Sequence, residues 1–157
     1  MAERIKKAKA ELEAARQRLN QVLDAVGERT ETPVYADGAA WNVRQLAIHL
    51  ADADRGHNNQ IKGIAEGREV IPADFDLERY NKRSVEKRAE MTLAQARESL
   101  NSTRSELNAW LDAQDEAVLD KTGRHASMKI MSIAQILDNM AEHERAHADD
   151  IARVLGI

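Results

Sequence analysis

The sequence predicts an all-α fold, a four-helix bundle with a short extra helix between helices two and three. Apolar residues recur at three-four spacing through four long stretches. Three of those stretches open on an Asn, Thr or Ser answered by Gln three residues later, the signature of a capping box. No stretch shows the sustained alternation of a strand, and there is neither a Gly-rich phosphate loop nor an internal repeat.

Each element follows from its own residues. In the first helix Ile5, Ala8, Leu12, Ala15, Leu19, Val22 and Val26 form an apolar seam that Gly27 stops. The second begins at the Asn42 cap, with Trp41 just before it and Gln45 answering, and runs through Leu46, Leu50, Ile61 and Ile64 toward Gly67. A loop over Ile71-Pro72-Ala73-Asp74-Phe75-Asp76 leads into a charged segment, Leu77 to Glu90, that holds the short extra helix. Thr92 caps the third long helix, with Gln95 answering and Leu93, Ala96, Leu100, Leu107 and Leu111 on one side. Ser132 and Gln135 repeat the device for the fourth, whose buried stripe is Ile133, Ile136, Met140, Ile151 and Val154 up to Gly156.

Residues 1–157 fit one domain, large enough to bury a core without staples. With no cysteine, disulfides, thiolate metal sites and a cysteine nucleophile are excluded, so any metal is held by His, Asp or Glu. The net charge of −4, with both signs interspersed, offers no basic surface for nucleic acid. No apolar run approaches a membrane span, and the stretch from Met1 to Lys9 has no signal-peptide core, so the expected location is the cytoplasm.

The residues that carry chemistry are His143-Glu144-Arg145-Ala146-His147. Histidines four apart on a helix stand one above the other and can aim two imidazole nitrogens at one ion, and both share the arc of Met140, Ile136 and Ile151. As a zinc-peptidase motif it would make Glu144 the water-activating base, but the residues from Ala148 to Ile157 contain no His or Glu to serve as third ligand. Nor does a helical bundle offer an edge strand to align a peptide.

A third ligand therefore comes from upstream. His49, at the margin of the second helix's apolar stripe, is the natural candidate, against a reading as a boundary histidine bonded to water. His57 lies about 12 Å further along the same helix, too far to join the same ion, and reads as a pocket-wall or core histidine. His125, beside Gly123 and Arg124, reads as an exposed loop residue outside the site. Glu144 is either a proton acceptor or support beside the metal, or a helix-edge carboxylate paired with a neighbouring cation. Asn139 and Asp150 stand one turn from the two histidines, where they either orient an imidazole or face solvent. Trp41, Trp110, Phe75 and Tyr80 read as packing anchors, the last two also placed to face a substrate.

The run Trp41-Asn42-Val43-Arg44-Gln45-Leu46-Ala47-Ile48-His49-Leu50 resembles the tryptophan-led helix start of the DinB family, and His143 with His147 resembles its C-terminal His-x-x-x-His. The resemblance spans nearly the whole chain. It implies a four-helix bundle, often dimeric, in which three histidines hold a divalent metal such as zinc or nickel, and it carries those roles to His49, His143 and His147. Some members are S-transferases that use bacillithiol or mycothiol, or mycothiol-dependent maleylpyruvate isomerases, while many have no known reaction. The implied function is a metal-dependent thiol S-transferase or isomerase acting on a small electrophile, with a low-molecular-weight thiol as cosubstrate. The alternative is a non-enzymatic, metal-stabilised homodimeric bundle with a stress-response or partner-binding role. One departure from the family pattern is Asp54, where many relatives carry Glu.

Overall fold

A computed structural model of the chain describes residues 3–157. Its elements, in order, are α1 (Glu3–Asp24), α2 (Val43–Ala65), α3 (Leu77–Lys87), α4 (Leu93–Asp112), a short 3-10 turn (Glu116–Asp120), β1 (Thr122–Arg124), β2 (Ile130–Ser132) and α5 (Ile133–Leu155). Four long helices form the bundle, with α1 packed along α5 and α2 along α4. The fold class and the extra helix are as expected, and Asn42, Thr92 and Ser132 each close a capping box with the predicted Gln. Gly156 ends α5 in the left-handed conformation, φ 71°, a region glycine enters without steric cost.

Three features depart from the sequence expectation, one of them Val154, expected in the buried stripe of α5 but exposed on it. The chain is not purely helical: β1 and β2 pair antiparallel as a hairpin, with Gly123 opposite Met131. Three residues per strand are too few to show a period, so no alternation could reveal them. The first helix also ends at Asp24, short of the Val26 at the end of its seam, and Val26 is buried from the turn that follows.

The core divides along the bundle axis. One cluster joins Leu12, Ile61, Leu107, Leu111, Ile133 and Ile136, another joins Leu19, Leu46, Leu50, Leu100 and Ile151, and a smaller one under α3 contains Ile48 and Val85. The loop after α2 turns back over that helix at Gly63, where any Cβ would collide with the Val70 side chain. Glycine there lets residues 70–77 wall a cavity against α2. Among the described residues, no helix is long and apolar enough to cross a membrane.

Candidate metal centre

The apolar stripes of α2 and α5 face each other across the bundle and bring three histidines together. His49 Nε2 lies 3.3 Å from His143 Nε2, which lies 2.9 Å from His147 Nε2. One ligand atom from each residue falls within 4.8 Å of the others, and no other group of three converges in this way among the described residues. The spacing suits coordination, because metal–nitrogen bonds of about 2.0–2.1 Å at tetrahedral angles set ligand nitrogens about 3.4 Å apart.

Protonation favours the same use. Burial, then repulsion from His143 and His147, holds His49 down to about 3. Burial also lowers His143, against the opposing charge of Asp54, and burial with His143 holds His147 down to about 4. At neutral pH the rings are uncharged, and each keeps one nitrogen free of a proton.

For His147 the surroundings decide which nitrogen that is. Tyr35 Oη sits 2.5 Å from Asp150 Oδ2 and 2.7 Å from His147 Nδ1. An ionised carboxylate only accepts, so Tyr35 donates its proton to Asp150, and His147 Nδ1–H donates to Tyr35. His147 Nε2 is left bare, facing the other two histidines. Arg153 holds Asp150 from the other side at 2.8 Å. Trp41 stacks on His49 with ring centroids 4.6 Å apart and fixes that ring from the protein side. Three converging imidazole nitrogens without a thiolate form a donor set that fits a borderline divalent cation such as zinc or nickel.

Sequence reading missed Tyr35, alone among the five aromatic residues of the chain. It lies in the connection between α1 and α2, and no helical period assigns it a face. Scarcity of aromatics was the one available signal. Asp150 does reach His147, as one of its two readings had it, but through the tyrosine.

Glu144 is elsewhere. It is 3% exposed, and its carboxylate accepts from Arg16 Nε at 3.1 Å and Arg16 Nη2 at 3.0 Å, with Arg104 Nη2 at 3.4 Å. Arg16 also bonds Asp54 at 2.9 Å and the Leu100 carbonyl. Of its sequence readings, pairing with a cation is the one the structure shows, in the interior rather than at a helix edge. Asp54 belongs to the same buried cluster, which ties α1, α2, α4 and α5 together. Removing one member of such a cluster strands a buried charge.

The three-histidine group opens on a cavity of about 420 Å³. His49 and His143 line it, with Asn139, Asp52 and the apolar wall of Val70, Ile71, Phe75 and Leu77. Phe75 and Tyr80 do face this space, their rings 5.4 Å apart.

His57 and His125 line the cavity's far wall. The expectation of an exposed His125 is corrected: it is 5% exposed, and its Nε2 lies 2.8 Å from His57 Nε2. The hairpin folds it back onto α2, a long-range contact that local sequence does not encode. Ser127 N–H donates to His125 Nδ1, so His125 carries its proton on Nε2 and donates to His57. His57 is the pocket-wall residue expected.

Comparison with known proteins agrees with this architecture. YfiT from Bacillus subtilis, described as a probable metal-dependent hydrolase with an unusual four-helix bundle topology, superposes with a TM-score of 0.77 at 21% identity, over 99% of this chain and 90% of that one. The likeness is one of fold. No curated protein matches the sequence. The family model of the DinB superfamily matches residues 11–151, and the chain belongs to that superfamily.

Proposed function

We propose that the protein is a divalent-metal enzyme acting on a small electrophile, with His49, His143 and His147 holding the ion. The observation that carries this reading is three convergent Nε2 atoms at the edge of an open cavity of about 420 Å³. A purely structural site is closed by its ligands, whereas a catalytic one keeps a position free and reachable. An ion such as zinc or nickel supplies Lewis acidity there and favours the deprotonated form of an incoming nucleophile.

The chain's own residues do the rest. Tyr35 and Asp150 hold His147 in its ligating tautomer, and Trp41 braces His49. Phe75, Leu77, Ile71 and Val70 exclude water from one side of the cavity, which strengthens charge interactions within it. The resemblance to thiol-using members of the DinB family supports a low-molecular-weight thiol as nucleophile and S-transfer as the reaction, and a chain without cysteine leaves that sulfur to a cosubstrate. A hydrolytic reading, with water in that role, is supported by the description of the similar YfiT bundle.

One assay separates them. Metal-loaded protein is incubated with a panel of electrophiles, with and without bacillithiol, mycothiol, glutathione or cysteine, and with a His49→Ala control. Thiol-dependent loss of an electrophile supports transfer, and thiol-independent loss supports hydrolysis. No rate above the control in either arm overturns the enzymatic reading in favour of a metal-stabilised, homodimeric binding protein.

A further inference from the structure

The wall of the cavity beside the three histidines borders a second space. Pro72, Phe75 and Tyr80 also line a second concavity, of about 550 Å³, on the outer side of α3. The two spaces share these three residues, so the Phe75 and Tyr80 side chains border both. The inner space is bounded mainly by apolar and neutral groups, and its one carboxylate, Asp52, is bonded to Arg55 at 2.8 Å and faces Arg88 at 3.5 Å. The outer space is lined by Arg79, Arg83, Lys87 and Arg88 against Asp74 and Asp76.

The charges of α3 are sorted by face. Arg79, Arg83 and Lys87 follow at four-residue spacing and form one basic stripe along the outer concavity. Glu78, Lys82 and Glu86 occupy the neighbouring stripe, Val85 turns inward, and Ser84 is buried where it borders the outer concavity. Asp76 is committed as the helix N-cap, accepting from Arg79 N–H at 3.1 Å. Arg79, Arg83 and Lys87 are exposed and enter no ion pair among the described residues, whereas Arg4, Arg18, Arg44, Arg97, Arg124, Arg145 and Arg153 each hold a carboxylate.

We propose that this stripe is an anion subsite, and that the ligand of the cavity is an amphipathic anion: an apolar, aromatic-sized body in the inner space and a carboxylate, sulfonate or phosphate group against Arg79, Arg83 and Lys87. The proposal rests on reading the cavity as a substrate site. An apolar body gains from leaving water for the wall of Val70, Ile71 and Phe75. The anionic group stays at the wet outer end, where three cations attract it without the cost of desolvating a charge. The pairing selects amphipathic anions over neutral or cationic molecules of the same shape.

Two dyes that share one aromatic body test this. N-phenyl-1-naphthylamine is neutral, and 8-anilinonaphthalene-1-sulfonate adds a sulfonate; both report binding by fluorescence. The intact protein is expected to bind the sulfonate about tenfold or more tightly than the neutral dye, with the preference shrinking as NaCl rises from about 0.05 to 0.5 M. In the triple variant Arg79→Gln/Arg83→Gln/Lys87→Gln the two affinities converge to within about twofold, while Lys82→Gln on the neighbouring stripe leaves the preference intact. Ala53→Phe, which fills the inner space, weakens both dyes. If the triple variant does not fold by circular dichroism, Arg83→Gln alone is expected to lose part of the preference. Equal binding of the two dyes to the intact protein, or an unchanged preference in the variant, overturns the proposal. Elemental analysis of the same samples reads the metal site separately, so a metal-free protein that still prefers the sulfonate rejects the metal reading and keeps this one.

Discussion

Two groups of histidines face the same cavity, each with ring nitrogens about as close as a hydrogen bond, yet their outer contacts give them opposite chemistry. In the His57–His125 pair a backbone N–H occupies His125 Nδ1, which puts a proton on Nε2 and fills the 2.8 Å gap with an N–H···N bond. In the trio, Tyr35 Oη accepts a hydrogen bond from His147 Nδ1–H, which leaves Nε2 bare toward His143 and His49. Proximity of imidazoles is therefore not a metal site by itself. The group behind each ring decides whether the space between rings holds a proton or a cation.

The sharpest break of this comparison is deletion of one ring from each group. His143→Ala is expected to reduce bound metal from about one ion per chain to below about 0.1, while His125→Ala retains it, as read by elemental analysis after purification without a histidine tag. Equal metal loss in both variants would merge the two groups into one site.

Next in size is the tyrosine. Tyr35→Phe removes the acceptor of His147 Nδ1–H without changing the ring's volume, and metal affinity is expected to fall about 10–100-fold with little change in melting temperature. A competition titration with a fluorescent chelator measures it. An unchanged affinity would show that His147 ligates without that support.

Stability reads the other group. His125→Ala leaves His57 Nε2 buried without its donor, and urea unfolding of metal-free protein is expected to show a loss of about 1–3 kcal/mol. The most gradual effect, at most about 1.4 kcal/mol for each pH unit, concerns protonation. Burial, then His125, holds His57 down to about 4 from its ordinary 6.5, against the raising influence of Asp54 and the Ala53 carbonyl. The unfolded chain takes up the proton first as pH falls. Stability of the metal-free protein therefore drops between about pH 6.5 and 4, by at most about 1.4 kcal/mol per unit from this group, and not above that window. In His57→Leu that share of the slope should vanish.

Much of the fold was legible because its signals are local. Cap residues at Asn42, Thr92 and Ser132 act on donors three residues away, and apolar seams act through a fixed helical period, so both survive in a bare sequence. His143 and His147 were legible as a pair for the same reason. His49 was placed by the absence of a downstream ligand and by resemblance, since nothing in the second helix alone separates a boundary histidine from a ligand. Glu144 and His125 were the residues hardest to place. One is claimed by arginines from α1 and α4, the other by a histidine on α2, and neither partner lies within reach of a local pattern.

The sequence by itself determined the four long helices, the extra helix, the nitrogen and oxygen character of any metal site, and two aligned histidines, because these depend on residue type and on spacing within one helix. Only the tertiary structure decided which side chains meet. It set Tyr35 and Asp150 behind His147, sent Glu144 and Asp54 to the buried arginines, folded His125 onto His57, and laid the basic stripe of α3 along a concavity that shares Phe75 and Tyr80 with the cavity. The physical reason is reach: hydrogen bonds and ion pairs act over a few ångströms in space, and packing the helices makes neighbours of residues that lie far apart along the chain.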